Sequence, residues 1–223
     1  MKSHPEDNDK KREWLRYADR VAVRFPSSGD QKLIQIVDAA LADATRRSGE
    51  WLVCRPGCTQ CCVGAFAINQ LDALRVRRGL AQLQSRDPER AAGIRARARD
   101  SVARLSKSFP GNSATGILGE SEEARQRFEE FANDEPCAAL DPETGLCELY
   151  ESRPMTCRVF GPPVQSEEGL GVCELCYHGA TDKEIAACEM LPDPDDLEAQ
   201  LVKRVEQSIG LRGDTIIAFC LAS

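Results

Sequence analysis

Four cysteines within nine residues are the feature of this sequence most able to do chemistry. They stand in the segment CRPGCTQCC as Cys54, Cys58, Cys61 and Cys62. The dipeptide Pro56-Gly57 favours a tight turn, which lets Cys54, Cys58 and Cys61 face one point. Because a thiolate is a soft, charged ligand, converging thiolates bind zinc or an iron–sulfur cluster strongly. Cys62 must project differently from its neighbour, which suits a second metal or a neighbouring iron.

The remaining cysteines follow further along the chain. They are Cys137, Cys147 and Cys157, then Cys173, Cys176 and Cys188, and finally Cys220. Pro154 suits the first position of a helical turn, which predicts Cys157 in that turn. There the positive end of the helix dipole and the adjacent Arg158 favour the thiolate. Arg153 and Arg158 either offset the charge of bound thiolates or are ordinary surface arginines.

A disulfide framework is the alternative use of these cysteines, and the sequence disfavours it. Eleven cysteines cannot all pair. The N-terminal segment MKSHPEDNDKKREW is densely charged and has no apolar stretch typical of a signal peptide. The longest apolar run, residues 216–222, is too short to span a bilayer. We therefore expect a cytoplasmic protein without membrane segments, in a compartment that keeps thiols reduced.

Apolar residues at helical spacing predict the elements that position the cysteines. The predicted helices cover residues 30–49, 69–85, 88–107, 120–133 and 194–209. Strands are predicted at most at 65–68 and 158–160, and loops at 109–119 and 161–171. The fold class is thus mainly α: a helical scaffold whose irregular cysteine-rich loops converge on a metal centre.

The domain prediction separates the charged N-terminus from the rest. Residues 1–29 are predicted as a charged tail with a short helix, and residues 30–223 as a single cysteine-cluster metal-binding domain. Charge is uneven within that domain. Residues 75–107 carry ten basic and three acidic residues, a net of +7, and residues 120–151 carry eleven acidic and two basic, a net of −9. We expect a solvated arginine-rich face that pairs with the acidic segment rather than a nucleic-acid interface.

Three motifs in series carry a family resemblance. The pattern CxxxCxxCC at 54–62, PCxxL at 136–140 and GxCxLYExRPxxCRxF at 145–160 resembles the YkgJ-like cysteine-cluster family, a zinc- or iron-chelating CxxCxxCC domain. A further family pattern, CxLNF, is similar to CELCY at 173–177, where Cys176 stands in place of the usual asparagine. Cys173 is therefore the better match to that family cysteine.

The resemblance implies a ligand set of eight thiols. They are Cys54, Cys58, Cys61, Cys62, Cys137, Cys147, Cys157 and Cys173. Eight thiols suit two four-ligand sites or one larger cluster. Cys176 and His178 stay open as ligands, and the loop position of His178 favours a solvent-facing side chain. Cys188 and Cys220 are expected to be small buried residues.

Several functions fit these observations. The first is a metal-binding protein that holds an iron–sulfur cluster, of the 4Fe–4S type, or zinc. The second is an iron–sulfur-dependent enzyme, since the resemblance includes flagellin lysine N-methylases, although no glycine-rich turn follows a strand to hold S-adenosylmethionine. The third is a structural zinc module that presents the basic helices to a protein partner. The spacing of Cys54, Cys58 and Cys61 also matches radical S-adenosylmethionine enzymes, but Gln60 replaces their aromatic residue and their alternating barrel is not predicted.

Overall fold

The computed structural model describes residues 28–166 and 169–222 and is mainly helical, as predicted. The helices are α1 (Ser28–Ser48), α2 (Gln70–Arg86), α3 (Pro88–Leu105), α4 (Glu122–Glu129), α5 (Met155–Val159), α6 (Asp182–Ala187), α7 (Leu197–Ile209) and α8 (Ile217–Leu221). Two antiparallel hairpins pair β1 (Gly111–Asn112) with β2 (Ile117–Leu118) and β3 (Val164–Ser166) with β4 (Gly169–Gly171). Single 3-10 turns lie at Gly49–Trp51, Gln60–Cys62 and Tyr150–Ser152. No helix within the described ranges has the length and apolar character needed to cross a membrane.

The helix starts follow from capping residues. The Asn69 side chain accepts a hydrogen bond from the Asp72 amide at the start of α2, 3.0 Å away. The Asp87 side chain does the same for the Arg90 amide ahead of α3, and Pro88 fills the first helical position. Helix α4 is shorter than the predicted 120–133, because it ends at Glu129 and Ala132 then adopts a positive φ of 55°.

Both predicted strands are wrong. Residues 65–68 contribute a single bridge, between Ile68 and Thr215, and residues 158–160 lie mostly in helix α5. The two segments predicted as loops contain the hairpins instead. In the first, the Asn112 side-chain oxygen accepts from the Ala114 amide, and Gly116 adopts a φ of 75°. These turn features close a hairpin too short for an alternating apolar pattern to reveal.

The described residues divide into two compact units, each built from stretches that are distant in sequence. One unit contains residues 62–154 and 202–222 and is called the helical unit. The other contains residues 28–61, 155–166 and 169–201 and is called the thiol unit. The predicted tail at 1–29 lies outside the described residues except for Ser28 and Gly29, which begin α1. A single domain over 30–223 stays a prediction.

The helical unit has a conventional apolar core. Helices α2, α3 and α8 pack on one another and bury Val76, Ile94 and Leu221 almost completely. A second cluster joins Phe109 to Phe131, whose rings meet edge to face with centroids 5.8 Å apart. Each such buried side chain contributes about 1.5–3 kcal/mol of transfer free energy.

Ion pairs join the basic and acidic segments inside the helical unit. Arg90 and Arg97 on α3 both bind the carboxylate of Glu148, and Arg104 binds Glu135 at 2.6 Å. Arg90, Arg97 and Arg104 are spaced seven residues apart and therefore share one face of α3. The predicted pairing of the two charged segments is confirmed.

The thiol unit has an apolar core of its own, in which Leu33, Val37 and Met190 are almost completely buried. Helix α1 packs against α5, and the buried Arg158 donates to Asp38 across this contact at 2.9 Å. Further along α1, Arg47 donates to the carbonyls of Ala187 and Glu189. The core cluster near the cysteines consists of Cys176, Tyr177 and Cys188, with partly buried apolar neighbours. Polar contacts and thiols thus add to the apolar core of this unit.

Candidate metal centre

All eleven cysteines lie in the described residues, and none of them forms a disulfide. The exposure of the cysteine side chains separates the eight predicted ligands from the other three cysteines. Cys54 is exposed, and the other seven cysteines predicted as ligands are partly buried. Cys176, Cys188 and Cys220 are buried, as expected for the last two.

The first cysteine segment is shaped by the predicted turn. The Cys58 amide donates to the Arg55 carbonyl at 3.0 Å, which closes a turn over Pro56 and Gly57. Gly57 has a φ of 86°, a conformation that glycine adopts without strain. The segment then forms the 3-10 turn Gln60–Cys62. Cys61 ends the first stretch of the thiol unit, and Cys62 begins the helical unit.

Five thiols of the thiol unit form one electrostatic group, called the first thiol group. They are Cys54, Cys58, Cys61, Cys173 and Cys176. Burial raises the pKa of Cys54, and each of the other four thiols raises it further. Because their negative charges oppose one another, these thiolates would be stabilised together by a cation placed among them.

Cys173 and Cys176 lie at the two ends of a tight turn. The Cys176 amide donates to the Cys173 carbonyl at 2.9 Å, and the two thiols are hydrogen bonded to each other. Burial raises the pKa of Cys176, while hydrogen bonds from the backbone of Val53 and Cys54 to its sulfur lower it. Amides directed at sulfur are groups that stabilise a thiolate.

Tyr177 fixes this turn against the segment before Cys54. Its amide donates to the Trp51 carbonyl at 2.9 Å, and its hydroxyl lies 2.5 Å from the Ser48 hydroxyl. Its φ of 60° is uncommon for a residue with a side chain. The next residue, His178, is exposed in a turn, as the sequence predicted.

Cys157 lies in the first turn of α5, directly after Pro154, as predicted. The chain leaving α5 passes close to Cys54. A Cβ at Gly161 would lie 3.9 Å from the Cys54 sulfur, and Gly161 has a φ of 118°. A glycine is therefore needed where this segment approaches the first thiol group.

The helical unit contains a second thiol group of Cys62, Cys137 and Cys147. The Cys137 amide donates to the Cys62 carbonyl at 2.8 Å, and Leu140 pairs with Cys147 across a bridge. Burial raises the pKa of Cys137 to about 11, and Cys147 contributes in the same direction. Hydrogen bonds from the backbone of Ala139 and Leu140 oppose the increase.

Arg97 is a cation that acts on this second thiol group, although the sequence predicted it only as part of a solvated arginine-rich face. Its positive charge lowers the pKa of Cys137, and its guanidinium donates to the Ala138 carbonyl at 3.0 Å. The seven-residue spacing of Arg90, Arg97 and Arg104 was the sequence feature that could have indicated a shared face of α3 directed at the acidic segment. Arg158 is buried, so it is not a surface arginine, and Arg153 lies 3.8 Å from the centre of the Tyr150 ring.

The donor chemistry fits a thiolate-bound metal. Within residues 28–166 and 169–222, no set of three His, Cys, Asp or Glu side chains has an arrangement that could hold a metal ion. The sulfurs are nevertheless grouped, and backbone amides are directed at Cys176 and Cys137. Soft sulfur donors with such amides suit zinc or iron and not a hard cation such as magnesium.

Comparisons with known proteins agree with the donor chemistry. The model of one family, described as "CxxCxxCC: Putative zinc- or iron-chelating domain", matches residues 53–177, more than half of the chain. No curated protein and no solved structure matches significantly. The match covers both thiol groups, and its description names the same two metals. The chain belongs to this family of cysteine-cluster, zinc- or iron-chelating domains.

Proposed function

We propose that the protein is a cytoplasmic iron–sulfur protein with two thiolate centres, one in each compact unit. The first draws on Cys54, Cys58, Cys61, Cys157 and Cys173, and the second on Cys62, Cys137 and Cys147. The observation that carries this proposal is the division of the cysteines between the units. Cys61 and Cys62 are adjacent in sequence but belong to different units.

Thiol number and density favour iron–sulfur over zinc. Both accept four thiolates, so the ligand type alone does not separate them. Adjacent cysteines and eight candidate ligands in one small protein are more typical of clusters, in which several irons each take a thiol. When bound, the cluster would supply electron transfer or a site for further ligands, and the chain would supply thiolates and amide donors.

The alternative of a structural zinc module is less well supported. That hypothesis uses the basic helices as a surface for a partner. In the helical unit, however, Arg90, Arg97 and Arg104 already bind Glu148 and Glu135. Three of the ten basic residues of this segment are thus paired within the chain, which leaves fewer charges to attract an acidic partner.

Anaerobic purification tests the proposal. We expect a brown protein containing iron and acid-labile sulfide, and expect a Cys220→Ala variant to contain as much of both, because Cys220 is buried in the helical core. Colourless protein with stoichiometric zinc and no iron would show that the thiolate centres hold zinc instead of an iron–sulfur cluster. Protein without any bound metal would overturn the proposal as a whole.

A further inference from the structure

We infer that Cys176 is a metal ligand of the first centre, so that the turn 173–176 supplies two thiolates. This inference rests on the proposed function and concerns a residue outside the eight-thiol set. Cys176 is only 4% exposed, which by itself would suit a small residue of the core. Its surroundings differ from those of an ordinary core residue.

Burial raises the pKa of the Cys176 thiol, but the backbone amides directed at its sulfur act in the opposite direction and would support a metal-bound thiolate. The sulfur accepts hydrogen bonds from the backbone of Val53 and Cys54 and shares one with the Cys173 thiol. A buried neutral thiol is a weak acceptor and gains little from two amides, whereas a metal-bound thiolate needs such donors because water cannot reach it.

Comparison with the other buried cysteine of the thiol unit strengthens the inference. Cys188 is also 4% exposed, but it lies at the end of helix α6 and does not belong to the first thiol group. Burial is thus the same at the two positions, but only Cys176 shares a tight turn with another cysteine, Cys173.

The turn itself brings the two sulfurs to one side. One hydrogen bond spans Cys173 and Cys176, as in ligand pairs separated by two residues. The hydrogen bonds of Tyr177 to Trp51 and Ser48 hold this turn beside Cys54. The local backbone therefore holds Cys173 and Cys176 together, beside the segment that leads into Cys54.

Matched variants test the inference in the full chain. We expect Cys176→Ser to lose the metal of the first centre, about half of the total if the two centres are equal. We expect Cys188→Ser to keep all of it. Full metal content in Cys176→Ser overturns the inference but leaves the proposed function intact, whereas metal-free wild-type protein overturns both.

A second measurement avoids any folding defect of the variants. Wild-type protein loaded with cadmium-113 is examined by NMR for scalar coupling between the metal and the cysteine β protons. We expect coupling to Cys173 and Cys176 and none to Cys188. Coupling to Cys173 without coupling to Cys176 would show that Cys176 is a core residue and would overturn the inference.

Discussion

The helical unit and the thiol unit differ in what holds them together. In the helical unit, three helices bury aliphatic side chains such as Leu80, Ile94 and Leu221. In the thiol unit, Leu33, Val37 and Met190 are buried as well, but the cluster beside the cysteines is small and consists partly of thiols. The first unit has a core sufficient to fold by apolar burial. We expect the second to depend also on a metal bound by its thiols, because metal binding contributes directly to folding.

Metal removal should produce the largest difference between the units. In metal-depleted protein, we expect the amides of Cys176 and Tyr177 to exchange hydrogen at least about 100-fold faster, the factor for a ligand present at 100 times its dissociation constant. The buried amides of α2 and α3 should change little. Hydrogen exchange with mass spectrometry measures both in one sample. Uniform loss of protection across both units would contradict the comparison.

Ligand variants should sharpen the comparison further. We expect Cys173→Ser to lose the metal of the thiol unit alone, and Cys137→Ser that of the helical unit alone. Each variant should retain roughly half of the metal, since a lost ligand abolishes one centre of two. Metal analysis per chain decides this, with Cys220→Ser as control. If either variant loses all metal, the two thiol groups serve one common centre.

A charge substitution should destabilise the helical unit more modestly. Glu148 is 5% exposed and binds both Arg90 and Arg97. Glu148→Gln should lower the free energy of unfolding by about 1–3 kcal/mol, because a buried hydrogen-bonded group loses its charge. Urea denaturation measures this change, and the exposed Glu143→Gln serves as control. Equal stability of the two variants would mean that these pairs contribute nothing.

The smallest expected effect concerns Asp214 in the helical unit. Burial, Glu206 and Glu120 raise its pKa above the ordinary 3.8. The folded state therefore favours the neutral acid, and this stability is present below pH 3.8 and lost as the pH rises through the raised pKa. Asp214→Asn should raise the free energy of unfolding at pH 7, measured by urea denaturation, by less than about 1 kcal/mol, because solvent screens the carboxylate.

Two measurements, the pH dependence and the metal dependence, test whether the stability gain of Asp214→Asn comes from its carboxylate. The advantage of Asp214→Asn should shrink as the pH approaches 3.8, where the wild-type carboxyl is also neutral. It should be the same in metal-loaded and metal-depleted protein, since burial, Glu206 and Glu120 raise the pKa of Asp214 and no thiol does. A gain that disappears on metal removal would show that the helical unit also depends on bound metal.

Features encoded within one helical turn could be predicted from the sequence. The starts of α2 and α3 follow from Asn69 and Pro88, and the position of Cys157 follows from Pro154. Each depends on residues fewer than five positions apart, whose geometry does not need the rest of the fold.

Features that depend on distant residues could not be predicted in the same way. The partners of Arg97 and Arg158 are Glu148 and Asp38, on other parts of the chain. The contacts of Cys176 depend on the backbone of Val53 and Cys54, more than a hundred residues earlier. The local pattern therefore marks Cys176 only as a replacement for the usual asparagine, and the fold is what brings it beside Cys54.

The discontinuous thiol unit also has a consequence for synthesis of the protein on the ribosome. Cys54, Cys58 and Cys61 are made more than a hundred residues before Cys173 and Cys176. At about 5–20 residues per second, the early thiols wait roughly 5–20 seconds for their partners. During that time they can capture the wrong metal or be oxidised, so we expect the first centre to gain its full ligand set only after synthesis has passed Cys176. A nascent chain arrested before Val172 should accordingly hold metal at this centre more weakly than the full chain.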